Sequence, residues 1–381
     1  MNFKMTVPPG ALKNSGPRRA SRPSMNRKMT APLAALAVLL AASPAAAQVS
    51  AAAAATDGSA KGNTPDSLAG RAILGYLPTS SGSGIQPIIG IAGASRVAAE
   101  IDFGLALRRV AIAPGRAMAL GIRADSGQVV RLSLDGDADA APVDVPANPD
   151  RILFSPAGGV AGFYDRTARS LLLVDDVAGS ASRGESFSLD VSGLVAGIAI
   201  ADVGGVAVAV FSSEEGAAVY ALSKAGAGAR LLTRVRSAAD LRFVPHTTDV
   251  LLTDLVASQV LLITDVDGAA SVRVIASAEN GVEGPTAAVS QDGQRVLIAA
   301  GGGIASLELE SGEVTSIPCR CSPSGFEPVG SNGRYHVTSG RSGAIALLDE
   351  RINPSIILVP ARDAPSLSAE RIRVTGRGRA R

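Results

Sequence analysis

Residues 288–314 read AVSQDGQRVLIAAGGGIASLELESGEV. An apolar run meets a polar turn at Ser290–Gly293, and a second apolar run, 296–300, follows. Three glycines break it, a third run follows, and a second polar turn closes the phrase at 310–313. The runs are four to eight residues long, branched and bounded by turn formers, which is the pattern of β-strands rather than helices.

The same grammar recurs along the chain. It appears as VAIAPGRAMALGIRADSGQVVRLSLDG (110–136), ILFSPAGGVAGFYDRTARSLLLVDDVAG (152–179) and IAIADVGGVAVAVFSSEEGAAVYALSKAG (198–226). It returns as LRFVPHTTDVLLTDLVASQVLLITDVDG (241–268) and FEPVGSNGRYHVTSGRSGAIALLDE (326–350). Closing glycines 136, 179, 226, 268 and 312 are spaced 43, 47, 42 and 44 residues apart. A fourth, more variable segment follows each closing turn, such as AAPVDVPA (140–147) or ASVRVIA (270–276). Four short strands every 40–45 residues is the period of a β-propeller blade. Runs such as VAVAVF (206–211) are apolar at every position, as strands buried on both faces must be. The expected fold is all-β: a propeller of four-stranded blades, with seven blades favoured and six as the alternative. Strands at 69–77 and 85–93 begin the seventh, and ERIRVTG (370–376) is a candidate closing strand.

The phrases VSQDG (289–293), FSPAG (154–158) and IAPG (112–115) resemble the repeats of bacterial exported β-propellers of the YVTN type, over about 110–350. The YVTN tetrapeptide itself is absent. The likeness extends to WD40-like repeats in general, while a WD40 repeat proper is disfavoured because the chain holds no Trp and so no Trp-Asp pair. The resemblance implies the propeller fold. It also implies two kinds of function, since such propellers include lactonases as well as binding and scaffold proteins. No lactonase residue can be placed on this sequence.

Composition agrees with a packed fold. Of 381 residues, 46% are hydrophobic and 18% charged, enough apolar surface for a large core and too little charge for global disorder. Of the net charge of +2, residues 1–28 contribute +7 and residues 361–381 contribute +4, which leaves −9 for the body. Phosphate backbones are held by Lys and Arg, so an acidic body argues against nucleic-acid binding.

The expected organisation has four parts. Residues 1–47 are an N-terminal extension plus signal peptide. Arg27 and Lys28 form its basic region, 31–42 its apolar region and Ala45–Ala47 its cleavage site, with Met25 a candidate true start. Residues 48–66 form a flexible leader, 67–361 the propeller, and 362–381 a basic tail, with the closing strand placed there. The chain is therefore expected to be exported, periplasmic or extracellular, with no transmembrane anchor after cleavage, and a monomer.

Chemistry is sparse. Asp135, Asp137 and Asp139 match the first three ligand positions of a calcium loop, but Ala140 and Pro146 stand where its Gly and Glu belong. Asp265 and Asp267 form a second carboxylate pair at the same place in another repeat. Both sets also read as inter-strand turns, where Asp and Gly are favoured. Calcium is thus the one candidate ion, and otherwise no cofactor is expected. Cys319 and Cys321 are candidates for a disulfide, either a loop staple or a labile redox pair. With only His246 and His336 in the chain, zinc has poor support. The glycine run 301–303 lacks the Lys-Ser/Thr of a phosphate loop, and no G-x-S-x-G elbow exists. The functional expectation is a binding or scaffold module that takes a protein or small ligand on one rim. The alternative is a lactonase-like hydrolase with an acidic or calcium site at the channel mouth, drawing on Asp125, Asp165, Asp254 and Asp292.

Overall fold

A computed structural model describes residues 71–360, apart from 136–138, 180–181, 224–227, 301, 320, 331–332, 340–343 and 352–353. Its 27 strands, β1 to β27, form seven antiparallel sheets in strict chain order. Blade I holds β1–β3 (73–97), blade II β4–β7 (107–142), blade III β8–β11 (151–188) and blade IV β12–β15 (194–235). Blade V holds β16–β19 (238–277), blade VI β20–β23 (286–317) and blade VII β24–β27 (323–360). The protein is a seven-bladed β-propeller. The six-blade alternative falls, because the strands before residue 100 form a blade of their own. Among the described residues blade I has three strands and every other blade four. The third strand of blade I, Ala94–Val97, was not foreseen, and the closing strand proposed at 370–376 lies outside the described residues.

The reason for a ring is visible in strand Ala207–Ser213. Residues Ala207 to Phe211 are all buried. Successive side chains point to opposite faces of the sheet. Val208 and Val210 pack with Phe243, Leu252 and Ile263 of blade V. Ala207, Ala209 and Phe211 pack with Leu171 and Leu173 of blade III. Blade VI divides likewise: Val296 and Ile298 face blade V, Leu297 and Ala299 face blade VII. Seven apolar clusters result, one between each neighbouring pair of blades. Each fully buried Val or Leu contributes roughly 1.5–3 kcal/mol, so small branched residues suffice where aromatics are scarce.

Closure uses blade I. Leu74, Ile88 and Val97 pack against Leu347 and Val359 of blade VII. On its other face Tyr76 and Ile85 meet Val110, Val130 and Leu132 of blade II. Hydrogen bonds reinforce both seams: Tyr76 N donates to Val329 O at 2.7 Å, and Tyr76 Oη donates to Leu134 O at 2.9 Å. Burial, helped by the nearby Asp135 carboxylate, pushes the Tyr76 hydroxyl up to about 12, so it stays a donor.

Arginines bridge other seams through backbone carbonyls. Arg109 reaches Asp150 O, and Arg151 reaches Ala196 O. Arg131 donates to Gly179 O and Arg230 to Val266 O, each to a turn of the next blade. Arg334 joins blade VII to blade I through Leu74 O at 3.0 Å, while its Nε holds Asp349 at 2.9 Å.

Burial pushes the Asp349 carboxyl up, but hydrogen bonds from Arg351 and Arg334 outweigh it and hold the group at about 2. A lowered carboxylate stabilises the fold above its unfolded value, and that contribution is lost as pH falls through the folded one. Asp349→Asn is therefore expected to lower the urea midpoint at pH 5–7, with the gap to wild type closing between pH 4 and pH 2. A gap of constant size across that window would remove Asp349 as a seam anchor.

Candidate functional site

The first strand of each blade lies innermost. These are β1 (Ile73–Pro78), β4 (Leu107–Ile112), β8 (Arg151–Phe154), β12 (Leu194–Ile200), β16 (Ala238–Phe243), β20 (Thr286–Val289) and β24 (Pro323–Pro328). In an antiparallel blade the turns after its first and third strands share one end, here termed the first face. Turns after the second strand and the links between blades share the other, the second face.

Around the axis on the first face, one turn position carries Pro114, Pro156, Asp202, Pro245, Gln291 and Gly330 in blades II to VII. In blades II, III and V proline suits it, because φ is fixed and the turn there uses no backbone donor. These turns hold one another. Asp202, 6% exposed, accepts from Ala157 N at 2.8 Å on one side and from His246 N at 3.0 Å on the other. Gln291 N donates to Glu350 Oε1 at 3.0 Å, which ties blade VI to blade VII. Gly330, at φ +73°, lies so close to blade II that a Cβ would sit 2.9 Å from Ile112 Cγ2. Blade VII thus reaches blade II in front of blade I at the mouth.

Inside this ring is a cavity of about 230 Å³. Its walls are mostly apolar, with Leu153, Ile198, Ile200, Leu241 and Ala288 among them. Arg242 and Arg334 bring charge to it, and Ser155, Gln291 and Tyr335 bring polar groups. Arg334 is engaged as described, and Tyr335 Oη donates to Val289 O at 2.7 Å. Arg242 Nη2 donates to Phe326 O at 2.7 Å, from blade V to blade VII across the inner edge of blade VI. Its Nε is buried with no partner.

The carboxylates expected at a catalytic mouth do not converge. Asp125, Asp165 and Asp254 end second strands or follow them, on the second face; Asp292 alone of the four lies on the first. Asp125 pairs with Arg123 at 2.6 Å, and that hydrogen bond holds its carboxyl far below the ordinary range. Asp165 accepts from Ala168 N, and Asp254 from Arg236, Ser237 and Ala257 N. Asp292 accepts from Ser290 Oγ and Gln294 N; these bonds outweigh burial and keep it ionised more readily than usual. Glu350 is the exception. It is 3% exposed, burial raises its carboxyl, and its Oε2 has no partner.

The other candidates are placed as follows. Asp139 Oδ1 accepts from Ala140 N, Asp135 O accepts from Ser133 Oγ, and Asp137 lies outside the described residues. Asp265 sits at φ +52°, its Oδ2 accepting from Ala269 N at 2.9 Å, in a turn that exposed Asp267 shares. Among the described residues no group of three His, Cys, Asp or Glu is placed to hold a metal ion. Cys319 and Cys321 form a disulfide with Cα atoms 5.1 Å apart, packed beside the cluster between blades VI and VII. His246 is 70% exposed on the first face, and His336 Nδ1 lies 3.7 Å from Glu327 Oε2.

Nothing in the local sequence around Arg242 marks it, but the register of the repeats does. Aligned on the turn position, the repeats carry Ala111, Leu153, Ala199, Arg242, Ala288 and Glu327. Two charges, Arg242 and Glu327, in a row of the inner strand that is otherwise Ala or Leu mark the place.

The fold and mouth define a β-propeller with a mostly apolar cavity at one end of its axis. No model of a known protein family matches the chain, and no curated protein matches it in sequence. Among solved structures, a functionally unknown protein from Desulfotomaculum acetoxidans superposes with a TM-score of 0.51 at 12% identity, covering 75% of this chain and 94% of that one. A protein from Lactobacillus plantarum gives 0.48 at 15% identity, covering 76% and 96%. Kuenenia stuttgartiensis hydrazine synthase gives 0.47 at 13%, covering 73% and 92%. The Desulfotomaculum likeness is one of fold alone. Among the described residues no helix is long and apolar enough to cross a membrane.

Asp202→Ala would leave the N–H groups of Ala157 and His246 without their acceptor. Its expected cost is roughly 1–3 kcal/mol in urea unfolding, with Asp202→Asn retaining part of it. A midpoint unchanged in Asp202→Ala would show that the turns do not depend on this bridge.

Proposed function

We propose that the protein is an exported binding module whose ligand seat is the channel mouth on the first face. The observation that carries this reading is the cavity of about 230 Å³, apolar in its walls and framed by turns that brace one another. Ligand sites are typically concave and mostly apolar with a few placed polar groups, and about 300–1,000 Å³ suits drug-sized molecules. A smaller seat fits a smaller ligand. Binding is favoured over lactonase-like hydrolysis because hydrolysis needs acids or bases aimed at one point. Here Asp202, Asp240 and Asp292 accept backbone N–H groups, and three of the four candidate acids sit on the opposite face. Export rests on the segment Met25–Gln48, which lies outside the described residues.

The seat is tested by filling it. Ala199 lines the cavity. With the chain from Gln48 onward, millimolar 1-hexanol should raise the melting temperature of wild type, since a ligand bound only to the folded state stabilises it. Ala199 also packs against the blade IV–V core, so Ala199→Phe should keep a single cooperative melt at a somewhat lower temperature and lose that response. Equal responses in the two proteins would place hexanol elsewhere and remove the seat.

A further inference from the structure

We infer that the seat takes a small monoanion, a compact apolar body bearing one carboxylate, with Arg242 as its counter-ion. This rests on the reading of the channel mouth as a ligand seat.

The inner-strand row that carries Arg242 holds Ala or Leu in four other blades. Burying a guanidinium in an apolar wall is costly unless it is paired. Arg242 is 32% exposed on its side chain, and its pairing is incomplete. A guanidinium has five N–H donors. Nη2 uses one on Phe326 O, and Nε is shut from solvent with no partner. The nearest carboxylate oxygen, Asp240 Oδ1, is 3.9 Å from Nη2, beyond hydrogen-bond reach. The other oxygen of Asp240 accepts from Ala287 N at 2.9 Å, which fixes that carboxylate against blade VI. Glu327, at the same register of blade VII, is engaged chiefly by His336: hydrogen bonding from His336 holds it below its ordinary value, and the Arg242 charge adds a smaller pull from beyond hydrogen-bond reach.

The contrast with Arg334 is direct. That second cavity arginine is 10% exposed, binds Asp349 through Nε and donates Nη1 to a carbonyl. It is a strut. Arg242 is held at one nitrogen only, so its position is fixed while most of its donors are left over. A planar guanidinium so placed matches a carboxylate, which can take two parallel N–H bonds. The partly exposed Leu153 and Leu241 would take the apolar part. Low local polarity strengthens the ion pair relative to one in open water.

Isothermal titration of the chain from Gln48 onward with hexanoate, 1-hexanol and hexylamine tests this. Wild type should bind hexanoate at least tenfold more tightly than hexanol, and hexylamine least. Arg242→Met, which keeps length without charge, should abolish the preference for hexanoate while hexanol still binds. Arg242→Lys should recover part of it. Retained hexanol binding shows that the cavity is intact in each variant. Equal binding of hexanoate and hexanol by wild type, or a preference that survives in Arg242→Met, would overturn the anion assignment and leave the seat standing. Binding of none of the three probes would overturn both.

Discussion

A small β-sheet with apolar side chains on both faces has no stable existence by itself. Water must be excluded from each face, and in this chain every blade does that for its two neighbours. Strand Ala207–Ser213 shows the constraint at its sharpest. Its odd positions need blade III and its even positions need blade V. The same division runs through all seven seams, and only a closed ring satisfies it without leaving two faces bare. Tyr76 and the Arg334–Asp349 pair belong to the seams that complete the circle.

The channel mouth follows from that closure. Inner strands converge on the axis, so the turns that end them must share a narrow ring. Proline, glycine and a bridging aspartate let them meet without leaving backbone donors stranded. Asp202 serves two blades at once, and Gly330 allows blade VII to reach blade II. The acids of this region act mainly as acceptors for backbone N–H groups, which explains why so many carboxylates produce no metal cluster among the described residues. The cavity they frame is mostly apolar wall with a few polar groups, among them the Arg242 guanidinium, which uses few of its donors.

The architecture was legible because it is periodic. Closing glycines about 44 residues apart and wholly apolar runs carry the blade count and the two-sided burial. The strand Ala94–Val97 escaped notice because ASRV is short and half polar, with burial only at Val97. The glycine run 301–303 reads correctly as a break between strands, Ala300 ending one and Gly303 starting the next. The mouth was much less legible. Asp202 bonds to residues 45 and 44 positions away, and nothing local marks it. Asp125, Asp165, Asp254 and Asp292 look alike in sequence, but antiparallel geometry sends three to one face and one to the other. Arg242 becomes conspicuous only when the repeats are aligned on their turns.

If mutual burial in a closed ring is what holds the molecule together, no blade should open by itself. Native-state hydrogen exchange on the chain from Gln48 onward measures this directly. Amides in the second strands of the seven blades, such as Ile88, Leu120, Phe163, Val208, Leu252, Leu297 and Val337, should share one opening free energy and one denaturant dependence. A blade whose amides exchange through a separate, lower-energy opening while the other six stay protected would contradict the account.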